Sequence, residues 1–181
     1  MTDFIFGGGA VGSVDVRGVS SQDIADTLTT TTPITVLASF VQTPLTNNGL
    51  GLNTGTDFLA SGISQLYDTS TNSLDFSDLA IGDVVNFRVD ISLTTSGGNH
   101  DVEIGLLGGI GGAFPFALPF YTRTVKKTGL NRIVASSYLL IRSASTRDNP
   151  ARFYISTDGI GADTCIVNGW TLSHSPRLPL V

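Results

Sequence analysis

The sequence predicts an all-β, antiparallel β-sandwich, and three observations carry that prediction. The first is the run Val84 to Leu93, where Val85, Phe87, Val89, Ile91 and Leu93 alternate with Asn86, Arg88, Asp90 and Ser92. Five apolar positions at a period of two give a strand one buried face and one face toward water or a partner. The second is the choice of acids: all but Glu103 are Asp, which favours turns, whereas Glu favours helix interiors. The third is the abundance of Thr, Ser, Val and Ile beside 21 glycines, the composition of strands joined by tight turns.

Residues 1–32 differ in character from the rest of the chain and read as an extended N-terminal arm. Phe4-Ile5-Phe6 precedes Gly7-Gly8-Gly9, an apolar tip on a glycine-rich tether suited to docking onto a neighbour. Ser20 with Asp23 fits a capping arrangement that opens a short helix with Ile24 and Leu28 on one face. The domain proper is expected over residues 33–181.

Ile34 to Val41 is β-branched and apolar, and Leu50 to Leu59 is an irregular strand interrupted by Asn53, Gly55 and Asp57. Gln65 to Asp68 and Leu74 to Asp78 flank a hairpin turn. Gly82-Asp83 leads into the Val84 strand, and Ser96-Gly97-Gly98-Asn99 turns out of it into Val102, Ile104 and Leu106, which alternate with polar residues. Phe114, Phe116, Leu118 and Phe120 alternate again, but Pro115 and Pro119 cannot donate ladder hydrogen bonds, so an edge strand or extended loop is expected. Arg132 to Arg142 is apolar on both faces and reads as buried on two sides. Ala151 to Ser156 and Cys165 to Ser173 complete eight to ten strands without a long helix. That set is jelly-roll-like.

Charge excludes some functions. The chain of 181 residues is 14% charged, against roughly 25% in soluble domains, so part of the surface is expected to be covered by another subunit. A net charge of −5, with Lys126-Lys127 the one adjacent lysine pair, argues against nucleic acid. No apolar run reaches the ~20 residues of a membrane span, and the start at Met1-Thr2-Asp3 lacks the basic region of a secretory signal. The single cysteine, Cys165, is expected to be a buried structural thiol.

Catalytic and cofactor signals are weak. Gly7, Gly9 and Gly12 match the dinucleotide pattern, but Ser13-Val14-Asp15-Val16 stands where a helix would be required. His100 and His174 have no second ligand at metal spacing and read as solvated surface residues. Asp158 to Asp163 reads as a plain turn, with too few carboxylates for calcium. There is no Gly-x-Ser-x-Gly elbow. Neither an enzyme nor a cofactor is expected. The aromatic segment Phe114 to Tyr121 is a subunit interface or an edge strand of the core, and it contributes Phe114, Phe116, Phe120 and Tyr121 as contact candidates beside Phe4, Ile5 and Phe6. Arg88 and Asp90, two apart on one outer face, complete the candidate contact set.

From Pro33 to Ser175 the chain resembles trimeric jelly-roll structural proteins of tailed-bacteriophage virions, which look like the tumour necrosis factor and C1q class. The residues that carry the resemblance begin with Leu79-Ala80-Ile81-Gly82-Asp83 before the strand Val84 to Asp90. Lys127-Thr128-Gly129-Leu130, Asp148-Asn149-Pro150-Ala151, Val167-Asn168-Gly169-Trp170 and the Phe6 to Gly9 opening add to it. The resemblance implies a virion protein that forms a homotrimer and binds the major capsid protein or another virion protein. Head decoration, as a cement across capsomer junctions, is favoured by the short arm and low charge. The alternatives are a receptor-binding tail-fibre tip, with loops Ser96 to Asn99 or Asp158 to Asp163 on a glycan, and a jelly-roll carbohydrate-active enzyme.

Overall fold

The structure is a computed structural model, and it describes residues 18–52, 54–113, 115–159 and 162–177. Twelve strands are assigned among them: β1 (Ser20–Ala25), β2 (Ile34–Thr35), β3 (Thr43–Pro44), β4 (Gly55–Phe58), β5 (Tyr67–Asp68), β6 (Ser73–Leu74), β7 (Val84–Thr95), β8 (His100–Gly108), β9 (Phe116–Val125), β10 (Gly129–Leu140), β11 (Arg152–Thr157) and β12 (Thr164–Ser175). Two short helices, α1 (Leu28–Thr31) and α2 (Ala144–Asp148), complete the described elements.

The larger sheet runs β10-β7-β12-β1-β4, with β2 beside the start of β12, and the smaller runs β3-β11-β8-β9. All pairings are antiparallel, and β5 with β6 forms a separate hairpin. Eight strands, β1, β3 and β7 to β12, define the wiring. In chain order, the sixth, third, eighth and first lie side by side in one sheet, and the second, seventh, fourth and fifth in the other. Two interlocked Greek keys of this kind make a jelly roll. The fold is an all-β antiparallel sandwich, as the alternation predicts.

The core lies between the sheets. Val85, Phe87, Val89, Ile91 and Leu93 of β7 are all buried and face Val102, Ile104 and Leu106 of β8 and Phe153 and Ile155 of β11. At its centre Phe87 meets Phe120 at 5.0 Å and Phe153 at 5.4 Å, and Phe153 meets Trp170 at 5.2 Å, all near edge-to-face. Such pairs add about 0.5–1.5 kcal/mol each beyond burial. Strand β12 holds its place there only through a bulge. Cys165 and Val167 point inward at odd positions, the register shifts between Val167 and Gly169, and Trp170 and Leu172 point inward at even ones. Gly169 is required at that step, since a Cβ would lie 2.8 Å from the Ile24 carbonyl oxygen.

Four expectations are corrected. Residues 20–25, expected in the arm, are β1, the first strand of the jelly roll, between β12 and β4. Its inward residues are mostly polar yet satisfied: Ser20 Oγ accepts from Ala60 N at 2.9 Å, and Gln22 Oε1 from Leu66 N at 2.7 Å. Ser20 and Asp23 accordingly open a strand, and the helix starts later at Leu28. Ile34 to Val41 is strand only at Ile34–Thr35, because Ser39 and Phe40 both adopt φ of 58° and turn the chain. Strand β10 is an edge strand with one buried face, carrying Ile133, Ala135 and Leu139 inward. The apolar residues of its other face lie on the surface of the sandwich.

Candidate interaction surface

The outer face of the larger sheet is built from the positions that alternate with the core. On β10 these are Leu130, Arg132, Val134, Ser136 and Tyr138; on β7, Asn86, Arg88, Asp90, Ser92 and Thr94. Leu130, Val134 and Tyr138 are 62%, 44% and 64% exposed, so every second outward residue of an edge strand leaves a large apolar side chain in water. Most other outward positions of β7 and β12 are small or polar, with Val84 and the part-buried Ile166 as exceptions, and Phe58 lies exposed at the opposite edge of the sheet.

Asp90 organises the middle of this face. Arg132 grips it with two hydrogen bonds, Nε to Oδ1 at 3.1 Å and Nη2 to Oδ2 at 2.7 Å. Asn168, outward by its alternation with Cys165 and Val167, donates to Oδ1 at 2.8 Å, and Arg88 Nη2 stands 3.5 Å from Oδ2. Burial pushes the Asp90 carboxyl up, but the hydrogen bonds from Arg132 and Asn168 and the two guanidinium charges outweigh it and hold it below the ordinary range. The candidates Arg88 and Asp90 therefore share a face, as expected, with different roles: Arg88 is exposed, whereas Asp90 is buried beneath its partners. Sequence reasoning misses Arg132 and Asn168. Arg132 and Asn168 emerge from the alternations of β10 and β12 once both strands are placed beside β7.

The aromatic segment forms β9, an edge strand of the smaller sheet. Its register with β8 shifts between Ile104 and Gly105, opposite Tyr121 and Pro119, so the proline is absorbed at an irregularity on a free edge. Phe116, Phe120 and Tyr121 are half-buried and pack on the core, and Phe120 belongs to the central aromatic cluster. Their packing accounts for most of their surface. Phe4, Ile5, Phe6 and Phe114 lie outside the described residues. Between the edges of β9 and β10 runs a seam whose apolar end, about 520 Å³, is lined by Phe116, Leu118, Pro119, Tyr138, Leu139 and Leu140, with Arg142 also in its lining. Its other end, about 410 Å³, carries Arg123, Lys126, Lys127 and Arg132.

Both histidines correct the expectation of a solvated surface. His174 is fully buried, its Nε2 2.9 Å from Oδ2 of the equally buried Asp83. His100 is largely covered, with Nδ1 3.2 Å from Asp158 Oδ1 and 3.9 Å from Asp163 Oδ2. Asp163 in turn accepts from Ser96 N at 2.8 Å and from Thr157 Oγ1 at 3.0 Å. The loop Asp158 to Asp163 thus supplies side-chain acceptors that tie the β7–β8 turn to β11. Among the described residues no group of three or more His, Cys, Asp or Glu is placed to hold a metal ion. Cys165 is buried, and burial pushes its thiol up to about 12. No described helix is long and apolar enough to cross a membrane.

What fold and face define together is a jelly-roll sandwich with an apolar edge strand beside a charge-paired sheet surface. No protein-family model matches the chain, and no curated protein matches it. Solved structures with similar chains include infectious bursal disease virus Gt strain, at 13% identity over 89% of this chain and 33% of that one, with a TM-score of 0.46. The Tobacco streak virus coat protein dimer matches at 12% identity over 91% of this chain and 89% of that chain, TM-score 0.39. The PRD1 vertex protein P5 matches at 13% identity over 92% and 99%, TM-score 0.36. The chain spans about a third of the length of the infectious bursal disease virus chain it matches.

Proposed function

We propose that this chain is a non-catalytic structural protein of a virion, a homotrimeric decoration or cement protein that binds the head across capsomer junctions. The observation that carries the reading is the outer face of β10, where Leu130, Val134 and Tyr138 stay exposed on a chain with only 14% charged residues. A strand edge with that much apolar surface is the kind of patch that marks protein contacts. The adjoining Arg88–Asp90–Arg132 group is locked by its own hydrogen bonds, so little is lost in ordering it on association. The phage-protein resemblance of Pro33 to Ser175 supplies the particle. A cement protein works by area: apolar surface buried across a junction contributes roughly 25 cal/mol per Å2 before the costs of association.

Immunogold labelling of the source particle tests the location, and label on the head is expected. Label confined to the tail would replace this reading with a receptor-binding tip. Particles stripped of the protein should release their genome at a lower temperature, and unchanged release would overturn the cement role.

A further inference from the structure

We propose that the basic end of the β9–β10 seam is a binding site for an acidic saccharide, with the sugar's carboxylate or sulfate held by Arg123, Lys126 and Lys127. The inference goes beyond the virion reading and does not rest on it. Three observations support it.

The first is charge. Four of the chain's ten lysines and arginines, Arg123, Lys126, Lys127 and Arg132, line one cavity of about 410 Å³ on a chain of net charge −5. No described carboxylate lines that cavity. Arg132 is bonded to Asp90, but Arg123, Lys126 and Lys127 form no ion pair with a described residue. A concave site lined by one sign of charge focuses its field and concentrates ligands of the opposite sign.

The second is placement. Arg123 holds an inward position of β9, where it pairs with the buried Val102 and alternates with the buried Val125. It therefore lines the gap between the sheets at their open side. The acids nearest in register, Asp101 and Glu103, alternate with Val102 and lie on the opposite face of the smaller sheet. Lys126 and Lys127 stand in the β9–β10 turn, whose backbone is fixed. The Lys127 carbonyl accepts from Thr95 Oγ1 and from Asn131 Nδ2, both at 3.0 Å, and Gly129 closes the turn with φ of 94°. A frame ordered before the ligand arrives lowers the cost of binding.

The third is what accompanies the cations. Asn131 also lines the cavity, and its Nδ2 is spent within the turn, on Lys127 and on Gly129 O at 2.6 Å. Its Oδ1 is left to accept from a hydroxyl. The half-buried Tyr121 adds an aromatic residue to the wall. An anion, hydroxyl donors and an apolar ring face occur together on an acidic sugar, and the volume lies within the roughly 300–1,000 Å³ of small-ligand sites. A nucleic-acid strand would run from the cavity onto the surface of a net acidic chain, where its phosphates are repelled.

The test is isothermal titration of the full-length protein at low salt with a uronic-acid disaccharide and with a sulfated disaccharide. A neutral disaccharide, inorganic sulfate and a short polyglutamate peptide are the comparison probes. At least one acidic disaccharide should bind about ten-fold more tightly than every comparison probe, and its affinity should fall as salt is raised. The tighter of the two identifies carboxylate or sulfate as the anchor. Arg123→Gln, and separately Lys126→Gln with Lys127→Gln, should each weaken that binding about ten-fold. Arg142→Gln removes the same charge as Arg123→Gln from the other end of the seam and should leave the affinity unchanged. All four side chains are exposed, so thermal melts should show every variant folded. No binding of either acidic disaccharide at millimolar concentration would overturn the proposal. So would equal binding of the neutral sugar, the sulfate ion or the peptide, or an equal loss with Arg142→Gln. None of these outcomes bears on head labelling, so the two readings fail separately.

Discussion

Asp83 sits where three parts of the chain meet. Its carboxylate accepts from Ala80 N at 2.8 Å and Arg177 N at 2.9 Å, and it faces His174 in the fully buried pair. Burial pushes this carboxyl up, but the backbone donors and His174 more than offset that, and its pKa lies below the ordinary value. Asp90 and Asp163 are depressed for the same kind of reason. A carboxyl with a lowered native pKa stabilises the fold above the unfolded-chain value of about 3.9, and that contribution drains away as pH falls through the native value. The contribution of these carboxyls should therefore hold from neutrality down to about pH 5 and then be lost steeply. Asp83→Asn should cost about 1–3 kcal/mol at pH 7 and make the acid limb shallower. Urea titrations at pH 7 and at pH 4 check both, and an unchanged acid limb would remove Asp83 from the explanation.

Among the elements, β1 departs furthest from what its sequence announces. It reads Ser-Ser-Gln-Asp-Ile-Ala, with one large apolar residue, so periodicity offers no strand signal. Its inward positions work through hydrogen bonds instead. Gln22 Oε1 satisfies the backbone N–H groups of Leu66 and Tyr67, at 2.7 and 3.1 Å, inside the core. Gln22→Ala should leave two buried donors unpaired and cost about 2 kcal/mol or more, whereas Asp23→Ala, on the exposed face, should be near neutral. Thermal melts of the two variants decide the point, and equal melting would mean that β1 is not held as described. Strand β10 departs in the opposite direction. Its apolarity on both faces suggests burial on two sides, but the second face is left open as surface.

For the whole molecule, the exposed face of β10 sets the expected behaviour in solution. If β10 is a contact strand, Val134→Asp with Tyr138→Asp should abolish self-association while moving the melting temperature little, since both side chains are already exposed. Light scattering beside a thermal melt reads both. Association that survives the double change would remove the outer face of β10 from the interface.

Residue order alone was enough for the class of fold, most of the long strands and the inward face of β7, because strand periodicity and local turn chemistry are written residue by residue. It also placed Arg88 and Asp90 on one face and put the prolines on an edge. Packing in three dimensions was needed to show that the jelly roll begins at Ser20, that β12 changes phase at Asn168, and that both histidines are covered by aspartates from distant segments. Each of those features rests on hydrogen bonds between residues far apart in the chain, and such partners leave no period for a sequence to display.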